Sequence, residues 1–274
     1  MKLIDFDGQF RQYMERWMAD NRGKYKNAAR MEEAIPEVYL RWLNAPADWL
    51  GGATPGGYFA RYDDPLELVE GLRAYVDGKV SVPDGLMERI AELGEPAVAH
   101  LMAAAADEAA DGGLRVTALN LLREIGTAAP MAMCLSIVEQ MAPGDEVADV
   151  AVEALTDMGR AVVAPILERF EGAGIAAREA FLDILCNFPG DERIYTYAVQ
   201  AFERGDNRAL YASYLGKLGD DRAIEPLTQS LSLPELAYLD YIEIVNAIEA
   251  LGGEVSEARE FAGDPQYESL KDMR

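Results

Sequence analysis

Leu215-Gly216-Lys217-Leu218-Gly219-Asp220-Asp221-Arg222-Ala223-Ile224-Glu225-Pro226-Leu227 decides the fold. It reads as the end of one helix, a turn at Gly219-Asp220-Asp221, and the opening of a second helix with Pro226 in its first turns. A glycine just after the last apolar residue of a helical pattern is a helix stop, because positive φ costs glycine nothing. A proline early in the next helix removes an N–H that would have no partner there.

The same arrangement recurs along the chain. Leu93-Gly94, Ile125-Gly126, Met158-Gly159, Leu218-Gly219 and Leu251-Gly252 repeat the closing dipeptide, and Phe188-Pro189-Gly190 repeats it with one insertion. The steps between closing residues are 32, 33, 30, 30 and 33. Three positions before each stand Ile90, Leu122, Leu155, Leu185, Leu215 and Ile248; four further back stand Leu86, Ala118, Ala151, Phe181, Tyr211 and Ile244. Residues at i, i+4 and i+7 share one stripe of a helix. Each unit is thus expected to be two antiparallel helices that cannot bury their apolar faces without neighbouring units.

Leu218–Leu227 and Met158–Leu167 resemble HEAT repeats, of the short HEAT-like type found in phycobilisome lyase proteins. The resemblance covers roughly residues 84–261. It implies an all-α, right-handed α–α superhelix, an architecture used by binding scaffolds, chromophore lyases and occasional enzymes, so fold analogy does not select a function. The organisation expected is a helical, aromatic-rich cap over 1–80, six helical pairs over 81–262, and a polar tail over 263–274. The pairs fall at 84–106, 114–140, 146–171, 175–204, 207–231 and 235–261, the last with a short second helix at Ser256–Phe261.

The cap holds all three tryptophans, Trp17, Trp42 and Trp49. Helices are expected over Gln9–Met18 and Met31–Leu43, the second ended by Asn44-Ala45-Pro46. A third runs from Asp64, as N-cap, with Pro65 at its first position, to Val76. Between them lies Trp49-Leu50-Gly51-Gly52-Ala53-Thr54-Pro55-Gly56-Gly57-Tyr58-Phe59. No Gly-Lys-Ser/Thr follows it, so it is no phosphate cradle. It reads first as a structural turn that packs Trp49 and Phe59 on the cap, and second as a recognition loop presenting Trp49, Tyr58 and Phe59.

Charge is distributed unevenly. The chain carries −23 overall, of which residues 1–80 carry −2 and residues 81–274 carry −21. Such a field repels nucleic acid and anionic membrane and attracts basic surfaces. A HEAT-like DNA glycosylase would need a basic concave face. The acids are expected on the surface formed by the second helices of each pair. Tyr195 and Tyr197 lie about 200° apart on one helix, so they do not both face the core, and one of the pair is a candidate contact residue.

Constellations for catalysis are sparse. His100 is the single histidine, and Leu101 follows it, whereas HEAT-repeat deoxyhypusine hydroxylases use several His-Glu pairs to hold iron. Asp107-Glu108, Asp111 and Asp220-Asp221 do not match a calcium loop. Cys134 and Cys186, in different repeats, read as buried free thiols, in keeping with a cytoplasmic protein. Neither a secretory leader nor an apolar run of about 18 residues is visible. The sequence therefore points to a non-enzymatic scaffold, without cofactor or metal, that binds a basic protein or peptide and neither nucleic acid nor membrane. The alternative is a lyase-like carrier holding a small ligand in the concave face.

Overall fold

The computed structural model describes residues 1–25, 27–205, 207–255 and 259–271. Among them every regular element is a helix. In chain order these are α1 (Phe6–Asn21), α2 (Ala28–Glu32), α3 (Ile35–Asn44), α4 (Pro65–Asp77), α5 (Asp84–Leu93), α6 (Glu95–Ala106), α7 (Gly112–Ile125) and α8 (Met131–Glu139). They continue as α9 (Glu146–Asp157), α10 (Val163–Phe170), α11 (Ile175–Leu185), α12 (Glu192–Arg204), α13 (Arg208–Leu218), α14 (Ile224–Ser230), α15 (Tyr238–Ala250) and α16 (Pro265–Lys271). The chain divides into two compact units: an N-terminal one of Met1–Cys134 with Gly144–Asp157, and a C-terminal one of Leu135–Pro143 with Met158–Arg274.

The regularly spaced glycines share a backbone conformation. Gly94, Gly126, Gly159, Gly190, Gly219 and Gly252 all have positive φ, between 64° and 115°. Each ends a helix or the turn just after one. The stripe residues Leu86, Ile90, Ala118, Leu122, Ala151, Leu155, Phe181, Leu185, Tyr211, Leu215, Ile244 and Ile248 are all buried. Polar contacts carry the same period: Arg123 on α7 pairs with Glu153 and, at 2.8 Å, with Asp157 on α9, while Lys217 on α13 pairs with Asp183 on α11 at 2.7 Å. Second helices open tightly where proline follows. Short 3₁₀ turns at Gly159–Val162 and Asp221–Ala223 lead into α10 and α14, which contain Pro165 and Pro226.

In the N-terminal unit α4 packs on α5, α6 and α7, α6 on α7, and α7 on α9. Leu68, Leu72 and Tyr75 of α4 are fully enclosed. The Tyr75 hydroxyl is satisfied by the chain's start, accepting from the Ile4 amide and donating to the Ile4 carbonyl, both at 3.1 Å. Asp64 caps α4 as expected, accepting from the Leu66 amide at 3.0 Å. The single helix expected over Met31–Leu43 is broken instead. α2 ends at Glu32 and α3 starts at Ile35, because Pro36 has no N–H to continue the first helix and suits the opening turn of the second.

In the C-terminal unit α10 packs on α11, α11 on α12, α12 on α13, α13 on α15, α14 on α15 and α15 on α16. Arginines close the ends of second helices here. Arg178 donates to the carbonyls of Phe170 at 3.1 Å and Glu171, where α10 stops, and Arg259 donates to those of Leu231, Leu233 and Pro234 beyond α14. A cation at a helix C-terminus meets both the unpaired carbonyls and the negative end of the dipole. Two expectations need correction. Of the helix placed at Ser256–Phe261, residues 256–258 lie outside the described ones and 259–261 are not helical. The stretch read as a tail from 263 contains α16, started by Asp264, which accepts from the amides of Gln266 and Tyr267. Tyr241 is half-buried and packs against Phe261 with ring centroids 5.0 Å apart. Asp206 lies outside the described residues.

Candidate functional site

The glycine-rich loop of the N-terminal unit is built as a turn. Gly51 and Gly52 take φ of 66° and 90°, and the Gly56 amide donates to the Leu43 carbonyl at 2.9 Å, tying the loop to the end of α3. Phe6 stands 5.6 Å, centroid to centroid, from each of Trp49, Tyr58 and Phe59. Tyr58 and Phe59 are buried and belong to the core, whereas Trp49 remains 37% exposed. Of the three loop residues named as recognition candidates, only Trp49 offers a partner an accessible ring.

Tyr195 and Tyr197 on α12 part as their spacing requires. The Arg222 guanidinium lies 4.2 Å above the Tyr195 ring, and the same arginine makes two 2.9 Å bonds to the Glu192 carboxylate. Tyr195 is thus a structural link between α12 and the turn before α14. Tyr197 instead stacks on Phe170 at 4.3 Å with the planes 18° apart, and its hydroxyl donates to the Glu171 carboxylate at 2.7 Å. That bond to an anion favours the neutral phenol and raises the Tyr197 pKa.

Tyr197 is one wall of a cleft of about 510 Å³ among α10, α11, α12 and α13. Phe170 and Leu182 supply apolar surface, and Tyr211 donates to the Glu179 carboxylate at 3.3 Å. The Glu179 carbonyl accepts from Tyr214, also at 3.3 Å, which fixes α11 against α13. Ile175, the first residue of α11, stands at the mouth 81% exposed. Chemically the cleft joins an apolar wall to two carboxylates and the guanidinium of Arg204, a lining suited to an amphipathic ligand. Sequence reasoning found Tyr197 but missed Ile175. Ile175 lies six residues before Phe181, about 120° off the buried stripe, and that offset was the available signal.

The acids do not gather on the second helices. α5 displays Asp84, Glu88 and Glu92, and α9 displays Glu146, Asp149, Glu153 and Asp157, all exposed. α6 and α8 carry one acid each, Glu95 and Glu139, because their alanines, methionines and valines are needed as apolar surface. Glu92, Glu153 and Asp157 are neutralised by Arg89 and Arg123, whereas Glu146 and Asp149 face no cation among the described residues.

Cys134 and Cys186 are free and buried, and burial pushes their thiols up to about 11 and about 12. Both are protonated at neutral pH and poor nucleophiles. His100 is half-buried on α6. Among the described residues no three His, Cys, Asp or Glu side chains are grouped to hold a metal ion, and no helix is long and apolar enough to cross a membrane. Comparison with protein-family models, with curated proteins and with solved structures gives no match.

Proposed function

We propose that this chain is a HEAT-like, non-enzymatic scaffold, its helical pairs forming a right-handed α–α superhelix that binds a protein with a basic surface. The observation that carries the reading is the exposed acid of the first helices, above all Glu146 and Asp149 on α9, within a region of net charge −21. Unpaired carboxylates on a rigid helix face raise the encounter rate with a cationic partner and discriminate against anionic ones. Placed on first helices, they put the docking surface opposite to the one the sequence suggested.

The test is quantitative. A partner recovered with the full-length protein should lose affinity by an order of magnitude or more between 50 and 300 mM salt, since exposed charges are screened beyond about 8 Å at 0.15 M. Charge reversal at Glu146 and Asp149 to lysine should lower affinity at least tenfold at low salt. Salt-independent binding, or indifference to the reversal, sinks the reading.

One observation favours a second reading. The cleft around Tyr197 falls within the size range of small-molecule sites, roughly 300–1,000 Å³, which suits a lyase-like or carrier protein. Mass spectrometry of the protein purified from its source under native conditions separates the two: a stoichiometric small molecule supports the carrier, a bound basic protein the scaffold.

A further inference from the structure

The N-terminal unit contains a second cavity, of about 410 Å³, whose lining is unusual in its chemistry. Phe10 of α1 and Tyr39 and Trp42 of α3 form its aromatic side. Phe10 lies 4.9 Å from Tyr39 and 5.1 Å from Trp42, and the Tyr39 and Trp42 planes are 24° apart at 5.9 Å. Asp7, Asp84 and Glu88 supply the charged part of the lining, and not one lysine or arginine is among the residues around it. Burial first, then the charges of Asp84, Asp7 and Glu88, raise the Tyr39 pKa.

This grouping lacks the features that usually account for exposed acids. None of the three carboxylates has an ion-pair partner among the described residues. Asp84 and Glu88 are four apart on α5, a spacing at which like charges repel and weaken the helix. Asp7 and Asp84 sit in the first turns of α1 and α5, where the positive dipole end favours an acidic side chain. The lining therefore sets three carboxylates beside three aromatic rings, Tyr39 and Trp42 near parallel and Phe10 edge-on to Tyr39. Ring quadrupoles attract cations and repel anions, so both halves of the lining select the same sign of ligand.

We propose that this pocket receives the ammonium group of a lysine side chain from a partner protein, the rings enclosing its methylene stem and the carboxylates meeting the charge. The proposal rests on the basic-partner reading above and names one residue type that such a partner must present. A lysine suits the lining better than a free metal ion, which would need oxygen ligands around it rather than rings.

The experiment uses the full-length protein and two five-residue peptides, identical but for a central lysine or norleucine. The readout is the indole N–H resonance of Trp42. The lysine peptide should shift that resonance saturably, and the norleucine peptide should not. Glu88→Gln, an exposed change on one turn of α5, should weaken the lysine peptide at least fivefold. Glu95→Gln, equally exposed but outside the pocket, should leave it unchanged. Equal binding of the two peptides overturns the proposal in favour of a merely apolar pocket. Binding of tetramethylammonium without the lysine peptide overturns it in favour of a quaternary ammonium ligand. If neither peptide nor tetramethylammonium binds, while the recovered partner still binds with steep salt dependence and ignores Glu88→Gln, this pocket fails and the scaffold reading survives.

Discussion

Gly219 and Leu215 sit four residues apart and hold the fold by different means. At Gly219, φ is +68° and a Cβ would meet nothing within 4 Å, so an alanine there costs only backbone strain, about 1–2 kcal/mol. Leu215 is fully buried on α13, and its truncation leaves a cavity, costing about 2–5 kcal/mol. Urea denaturation of the two variants should rank Leu215→Ala as the more damaging. The reverse order would mean that the turn, not the stripe, dominates each repeat. Asp191 offers a test through pH. It caps α12 and bonds the Arg193 guanidinium, which with the Arg193 amide holds its carboxyl down to about 2. Since the unfolded value is near 3.9, its contribution is complete above about pH 5 and is lost as pH falls through about 2. Asn keeps the cap and removes the charge. Asp191→Asn should therefore melt below wild type at pH 7 and match it near pH 2; a constant gap across that range would rule out the charge as the cause.

Helix by helix, what could be read depended on whether the signal was periodic or chemical. The buried stripe was legible because burial imposes a spacing that no local chemistry disguises. Pro36 was visible too, but the apolar pattern running across it suggested one helix where the chain makes two. α16 was missed although Asp264-Pro265 repeats the Asp64-Pro65 start that was recognised in α4. A polar seven-residue helix has little periodicity to support such a signal. The two cavities were illegible for a different reason: each collects side chains from elements distant in sequence, and periodicity within one helix does not report which faces meet. Gly216 is a further case. Within α13 it looks like a helix weakener, yet a Cβ there would stand 3.2 Å from the Ala247 Cα and 3.3 Å from its Cβ. Its absence lets α13 and α15 approach closely. Valine at this position would gain a few tenths of a kcal/mol in helix propensity and lose about 1–3 in overpacking. Gly216→Val should accordingly lower the melting temperature by several degrees, and an unchanged or higher value would show the crossing to be looser than described.

At the scale of the molecule, the net charge of −23 sets repulsion against a small number of exposed ion pairs. Each such pair contributes up to about 1 kcal/mol and weakens with salt. Repulsion among the unpaired acids weakens as well, over a screening length that falls from about 30 Å at 0.01 M to about 8 Å at 0.15 M. With roughly two acids for every base, the second effect is the larger. The melting temperature should rise as sodium chloride is added over that range, and a fall would mean that the ion pairs, such as those of Arg123 and Arg222, matter more than the excess of acid.

The chain passes between its two units three times, after Cys134, Pro143 and Asp157. Emergence from the ribosome, which is strictly sequential, meets that interleaving in a definite order. Residues 135–143 are made before the body they join, where Glu139 pairs with Arg169, and the N-terminal unit stays incomplete until α9 has followed them. At about 5–20 residues per second, roughly 8–30 s pass before residue 157 is even joined. For the last 32 residues of that interval, about 2–6 s, the face of α7 that α9 covers is bare and open to other nascent chains. Protease resistance of the N-terminal unit should consequently appear in arrested chains only once α9 is clear of the tunnel. Resistance in chains ending near residue 134 would mean that the first seven helices close a core by themselves.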